Sequence, residues 1–179
     1  MEQNNRYDHY TQLLEKVDLM FHGVQKRHAD KFSCQRGCYG CCKPSLTVSF
    51  VEASRIAEWL KLNPAVLNRS QHRIAMLDDP DFCRMLDRDG ACAIYEVRPL
   101  ICRSHGLPVS WSEDDSVDGA KESRDVCPLN FDGFNLDDLS PQDVLSLDKI
   151  NVLLSLINRA FDEERCDERV PLEHLVNMP

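Results

Sequence analysis

No stretch of this chain approaches the roughly 18–20 apolar residues that a bilayer-spanning helix needs. Residues Met1 to Asp8 hold neither a basic run nor an apolar core, so no secretory leader is expected. Lys and Arg never cluster, and the 179 residues carry a formal charge of −9. A protein that grips a phosphate backbone needs a basic face, so nucleic-acid binding by this chain alone is not expected. Also missing are a Gly-rich phosphate loop, a Gly-x-Ser-x-Gly elbow and a His-Glu-x-x-His pair. There is no internal repeat, no low-complexity tract and no strand–helix alternation. These absences remove most familiar enzyme classes. They leave a soluble protein, expected in the cytoplasm, with neither membrane nor nucleic acid as a partner.

What the chain has instead is cysteine, nine in all. Four fall together as Cys34-x3-Cys38-x2-Cys41-Cys42, and Cys83, Cys92, Cys102 and Cys127 follow. Cys166 stands apart in a charged helix end and reads as a bystander. A chain this long can bury a core without disulfides, and in a reducing compartment clustered thiols are metal ligands or redox groups. Gly37 and Gly40 punctuate the first cluster and are expected to supply the positive φ angles that turn sulfurs inward.

Zinc takes four thiolates in a closed site, and iron–sulfur clusters also use four cysteines. Eight clustered cysteines therefore suit one or two sites of four, or a single polynuclear centre. Spacing does not choose between zinc and iron. Consecutive side chains diverge, so Cys42 is expected in a different site from Cys34, Cys38 and Cys41, or in a bridging position. Which distal cysteine joins which group stays open. Four thiolates on a zinc ion leave two net negative charges, costly to bury without nearby cations. Arg98 and Arg103 are expected to supply that compensation, with Arg36 and Lys43 as weaker candidates. His105 follows Cys102 by three residues and is more simply a hydrogen-bonding residue than a ligand. The other histidines, His9, His22, His28, His72 and His174, show no ligand spacing.

Periodicity frames the cysteines with helices. Tyr10, Leu13, Leu14, Val17, Met20, Phe21 and Val24 predict an amphipathic helix over 6–31. Ser49-Phe-Val-Glu52 is a capping-box pattern opening a helix to about Leu62, and Asn63-Pro64 starts another to about Leu77. From Pro80 to Phe134 periodicity fails, and such a long irregular stretch needs a tie, which metal ligation would provide. Within it, Ser112 to Asp118 reads as an exposed acidic loop. Ser140-Pro141 predicts the start of the last helix, with Asp143 accepting from its first turn and a stripe of Leu147, Ile150, Leu153, Leu154, Ile157 and Phe161. The tail from Pro171 is expected to order through Leu172 and Leu175. The fold class is mainly α, helices framing an irregular cysteine-rich metal-binding core. An N-terminal helix (1–31), a cysteine-cluster domain (32–134) and a C-terminal helix packing on it (135–179) divide the chain.

The first cluster, then Glu52, then Cys92-Ala-Ile-Tyr95-Glu-Val-Arg98-Pro99-Leu-Ile-Cys102-Arg103, resembles the YkgJ-type cysteine-cluster family over roughly residues 34–127. The joint presence of the terminal Cys-Cys pair and the second segment makes the resemblance specific. This chain puts three residues, not two, between its first cysteines. The resemblance implies chelation of zinc or iron by Cys34, Cys38, Cys41, Cys42, Cys92 and Cys102, with Cys83 and Cys127 as the matching remaining ligands. It brings no settled activity.

Two sharper readings carry less weight. Cys34-x3-Cys38-x2-Cys41 has the spacing of a radical S-adenosylmethionine motif, but that chemistry sits on a large partial α/β barrel. Cys38-Tyr-Gly-Cys41 has thiol–disulfide oxidoreductase spacing, but no strand precedes it. The chain reads as a metal-binding protein rather than an enzyme, partnered by a metal ion and open to a protein partner. The alternative is an iron–sulfur or thiol-based redox or electron-transfer protein.

Overall fold

The structure, a computed structural model, describes residues 6–34, 37–42, 45–76, 82–87, 89–113 and 122–178, with backbone alone for 73–76. Arg36, Lys43 and most of the 112–118 acidic loop lie outside the described residues. The expected helices form. Helix α1 (Asp8–Arg27) buries Tyr10, Leu13, Leu14, Val17 and Val24 along one stripe. It stops four residues earlier than its periodicity suggests, and Ala29–Lys31 continues as a 3₁₀ turn. At that end Arg27 and His28 turn their side chains to Asp143 instead, with Arg27 Nε at 2.7 Å and His28 Nε2 at 3.1 Å.

A short strand β1 (Thr47–Ser49) leads into α2 (Phe50–Leu62), and α3 (Pro64–Met76) follows after Asn63. Helix α2 is buried on two sides. Val51 faces a core built by α1, Leu100, Leu107, Phe131 and Ile150. Phe50, Ala53, Ile56 and Leu60 face a second core with Met85, Ile94, Val97, Val170 and Leu175. A helix buried on both flanks has no solvent face at its start, which is why Glu52, 3% exposed, must be satisfied internally.

The stretch from Pro80 to Phe134 is less irregular than its lost periodicity suggests. It holds the 3₁₀ turn Tyr95–Val97, helix α4 (Leu100–Ser104), and the strands β2 (Val109–Ser112) and β3 (Glu122–Asp125). Strand β2 pairs antiparallel with β3 and parallel with β4 (Leu145–Ser146). Elements of two to five residues are too short to show a period, so they leave no pattern in sequence.

The last helix, α5, spans Leu147–Phe161, not from Ser140. Ser140-Pro141 opens a 3₁₀ turn, Pro141–Asp143, and β4 intervenes before Ser146 caps α5 by accepting from the Lys149 N–H. Asp143 is buried as the receiver of Arg27 and His28, not as a first-turn acceptor of the last helix. Burial pushes its carboxyl up, but the hydrogen bonds from His28 and Arg27 outweigh that and hold it below the usual range. Ile150 is buried, and Leu154, Ile157 and Phe161 are half-buried. Leu153, expected on the apolar stripe, is 46% exposed beside Val152 and Leu156. After α5, strand β5 (Arg169–Pro171) pairs antiparallel with β1, Val170 opposite Val48. The tail orders as a 3₁₀ helix, Leu172–Asn177, burying Leu172, Leu175 and Val176. Among the described residues the fold is mainly α, with two small sheets. Among the described residues no helix is long and apolar enough to cross a membrane.

Four hydrogen bonds converge on Glu52. Its Oε2 accepts from the Ser49 N–H (2.8 Å) and Ser49 Oγ (2.7 Å); its Oε1 accepts from Tyr10 Oη (3.2 Å) and the Leu100 N–H (2.9 Å). Removing a buried acceptor strands its donors, at about 1–3 kcal/mol for each group left unpaired. Glu52→Ala is therefore expected to destabilise the protein by at least ~3 kcal/mol, and Tyr10→Phe by only about 1 kcal/mol. Urea unfolding checks both, and an E52A variant as stable as the parent contradicts the assignment.

Candidate metal centre

Eight cysteines reach this region from four separate segments. Cys34, Cys38, Cys41 and Cys42 lie in the loop between α1 and β1, Cys83 and Cys92 in the connection after α3, Cys102 on α4, and Cys127 just past β3. All nine thiols of the chain are free and part-buried.

The segments are held in register by backbone and by one side chain. The Cys42 N–H donates to the Tyr39 carbonyl at 2.9 Å, closing a turn through Gly40, and the Cys83 N–H donates to the Cys42 carbonyl at 2.9 Å. Gly37 takes the expected positive φ, +91°; Gly40 does not. Cys83 and Cys92 stand on the two arms of a tight hairpin, in which Leu86 bridges Cys92 and the Ala93 N–H donates to the Met85 carbonyl at 2.8 Å. The hairpin turns at Gly90 with φ +79°, and a Cβ there would lie 2.7 Å from the Tyr39 ring. Glycine thus lets Tyr39 close the first loop onto the second.

Asn130, 1% exposed, holds the other side together. Its Oδ1 accepts from the Ser33 N–H (2.9 Å) and the Cys34 N–H (3.0 Å), while its Nδ2 donates to the Gly106 carbonyl (2.8 Å). Its own N–H donates to the Cys127 carbonyl at 2.8 Å. One residue, through its side-chain amide and its backbone N–H, therefore ties Cys34, Cys127 and Gly106, two residues past α4. Gly106, at φ +96°, permits the approach, since a Cβ would sit 3.3 Å from that Nδ2.

The thiols influence one another strongly. Burial, then the neighbouring Cys38, Cys127 and Cys41, pushes Cys34 up to about 11. Burial, then Cys83 and Cys92, pushes Cys102 up to about 12. Cys83 and Cys92 are raised by burial, each opposed by a backbone N–H aimed at its sulfur, from Met85 (3.5 Å) and from Ile94. A hydrogen bond from the Cys42 thiol, aided against burial by His105 and Arg98, lowers Cys41 to about 6, and Cys42 is raised in return. Among the described residues no three His, Cys, Asp or Glu side chains already surround a common point as ligands would.

Of the cations expected to offset the thiolates, Arg98 lies in the field of Cys41, Cys92 and Cys102 and stacks on Tyr95 at 3.8 Å. Arg103 is turned the other way. Its Nη1 meets Asp18 at 2.6 Å, and Nη2 and Nε reach the Glu96 and Arg98 carbonyls. His105 lies near enough to Cys41 to help lower its thiol. Cys166 lies apart, after α5, where its carbonyl accepts from Asn158 Nδ2 at 2.6 Å.

Residues 33–128 match the CxxCxxCC family, described as a "Putative zinc- or iron-chelating domain". The chain belongs to this family. No curated protein and no solved structure matches it. The CxxCxxCC stretch opens one residue before Cys34 and closes one residue after Cys127, so it contains eight of the nine cysteines. Asn130 lies just beyond it, and nothing in a lone Asn two residues after Cys127-Pro128 marks it as the organiser of Cys34. Tyr39 and Gly90 were equally silent, because their contact joins segments about fifty positions apart.

Asn130→Ala should cost about 2 kcal/mol, since it strands two N–H groups and a carbonyl. Gly90→Ala should cost about 1–3 kcal/mol through overpacking against Tyr39 and the positive φ. Denaturant midpoints check both. On metal-free reduced protein at pH 7, iodoacetamide should modify Cys41 ahead of Cys34, Cys42 and Cys102, because the thiolate is the nucleophile. Mass mapping that finds Cys102 modified first would contradict this order.

Proposed function

We propose that this protein binds zinc or iron through Cys34, Cys38, Cys41, Cys42, Cys83, Cys92, Cys102 and Cys127, and that the metal organises the region between α3 and β4. It works in the cytoplasm as a binding or accessory module rather than as an enzyme on its own. What supports this reading is that hydrogen bonds tie the 34–42 loop to Cys83 and, through Asn130, to Cys127, and that the matched family stretch takes in eight of the nine cysteines. The donor set suits the group. Thiolates are the ligands of structural zinc and of iron–sulfur clusters, and the Met85 and Ile94 N–H groups stabilise sulfur charge at Cys83 and Cys92. Arg98 supplies a cation beside three of the sulfurs, and Arg103 supports it by holding the Arg98 carbonyl at 3.0 Å. Bound zinc would supply a closed, redox-inert cross-link; bound iron would add one-electron chemistry, making redox sensing or electron transfer the activity.

Elemental analysis of protein purified without oxygen tests the proposal. Zinc without iron supports the structural role. Iron with acid-labile sulfide and a colour bleached by dithionite supports the redox role. Neither metal overturns the reading. Cys102→Ser should lower metal content and shift stability down by about 4 kcal/mol or more, since binding energy is partly folding energy. Cys166→Ser should change neither.

A further inference from the structure

We infer that the eight cysteines form two adjacent sites of four, divided at the peptide bond between Cys41 and Cys42. One site takes Cys34, Cys38, Cys41 and Cys127; the other takes Cys42, Cys83, Cys92 and Cys102. The inference rests on the metal-binding reading above and adds the partition that sequence spacing leaves open. The ligand class is a thiophilic metal, zinc or iron, in each site.

Backbone geometry separates the two sets. Asn130 joins Cys34 to Cys127 through its Oδ1 and its own N–H, and touches none of the second set. On the other side the Cys83 N–H is bonded to the Cys42 carbonyl, and the Leu86–Cys92 bridge brings Cys92 across the same hairpin. Cys83 and Cys92 both rest on the second apolar core, which includes Val97, three residues before the start of α4 and its Cys102.

The sulfurs divide the same way. Those that weigh most on Cys34 are Cys38, Cys127 and Cys41. Cys83 and Cys92 lie near Cys102 and also near Cys42, whose first sulfur neighbour is Cys41, the link between the two sets. Each set therefore holds four thiols, the number a closed tetrahedral site requires, and Cys166 is left over. The vicinal thiols share a hydrogen bond, so the two sites abut. Arg98 lies where they meet, in the field of Cys41 from one set and of Cys92 and Cys102 from the other. A cation there offsets the repulsion of two thiolate-rich centres.

Because Cys41 and Cys42 sit at the junction, replacing either would disturb both sites. The informative positions are the far corners, Cys127 and Cys102. Reduced metal-free protein is titrated with cobalt(II) without oxygen, reading the thiolate-to-cobalt charge-transfer and ligand-field bands, and native metal is counted in parallel. The parent should saturate at two cobalt ions per chain. Cys127→Ser and Cys102→Ser should each keep half of the bands, still of four-thiolate type, and the double variant should lose them all.

A single-ion endpoint overturns the partition, as does complete loss in either single variant or a double variant no worse than one single. Should Cys127→Ser fold poorly, Cys34→Ser probes the same site, and the parent endpoint stands regardless. A parent that binds neither cobalt nor native metal overturns the proposed function itself, and the partition with it.

Discussion

The rest of this structure depends on one buried carboxylate. Two helix N-termini, those of α2 and α4, meet the flank of α1 in the buried interior, and each brings N–H groups with no helical partner. Glu52 answers both. Its Oε2 closes the start of α2 at Ser49, and its Oε1 takes the Leu100 N–H and the Tyr10 hydroxyl. Pro99 has no N–H to offer, so Leu100 is the first donor α4 presents, and Cys102 follows two residues later. The position of a candidate ligand is thus set by a carboxylate fifty residues earlier in the chain. A neutral side chain would leave the two helix ends unmatched; a charge at a helix N-terminus is favoured by the peptide dipoles.

The same device recurs. Asn158, 3% exposed, accepts the Val51 N–H at 2.8 Å and donates to the Cys166 carbonyl, which fixes the loop after α5 against the start of α2. Asp143 receives Arg27 and His28 across more than a hundred residues of sequence. Asn130 does likewise for the Cys34 segment. Irregular segments cannot satisfy their backbone groups with a ladder, so each needs a polar side chain from elsewhere. The sheets are too small to serve, with strands of two to four residues. Long-range polar ties, rather than strand pairing, keep the cysteine-bearing segments in register.

This division explains what could be read in advance. Helices α1, α2 and α3 were legible because an apolar stripe and a capping box are local patterns, spelled within four to twenty residues. Glu52 was legible as a cap but not as the partner of Leu100, since nothing in either neighbourhood names the other. Ser140-Pro141 misled for a physical reason: a cap and a proline begin a 3₁₀ turn as readily as an α-helix. The real cap, Ser146, is drawn with Leu145 into a sheet with β2. Eight cysteines were legible as a group because thiols are scarce and chemically distinct. Their organisers, Asn130, Tyr39 and Gly90, are common residues whose importance exists only in three dimensions.

The electrostatics of the metal-free protein bear on how ions would enter. Burial and crowding hold Cys34 and Cys102 protonated at neutral pH, at about 11 and about 12, and raise Cys83 and Cys92 as well. A metal must displace those protons, so on the proposed reading each thiol contributes more binding as pH rises and less as it falls. Cys41 differs, because its thiolate is already formed near neutrality at about 6. It stands at the junction of the segments, beside Arg98 and His105, with the Cys42 thiol donating to it. An arriving cation meets one preformed charge there, and its own charge then lowers the surrounding thiols in turn. The raised thiols Cys34, Cys42, Cys83, Cys92 and Cys102 also limit negative charge in a chain already at −9. Burial, which would oppose a permanent cluster of charges, is what keeps these thiols neutral, and on the proposed reading a bound metal would supply the compensation.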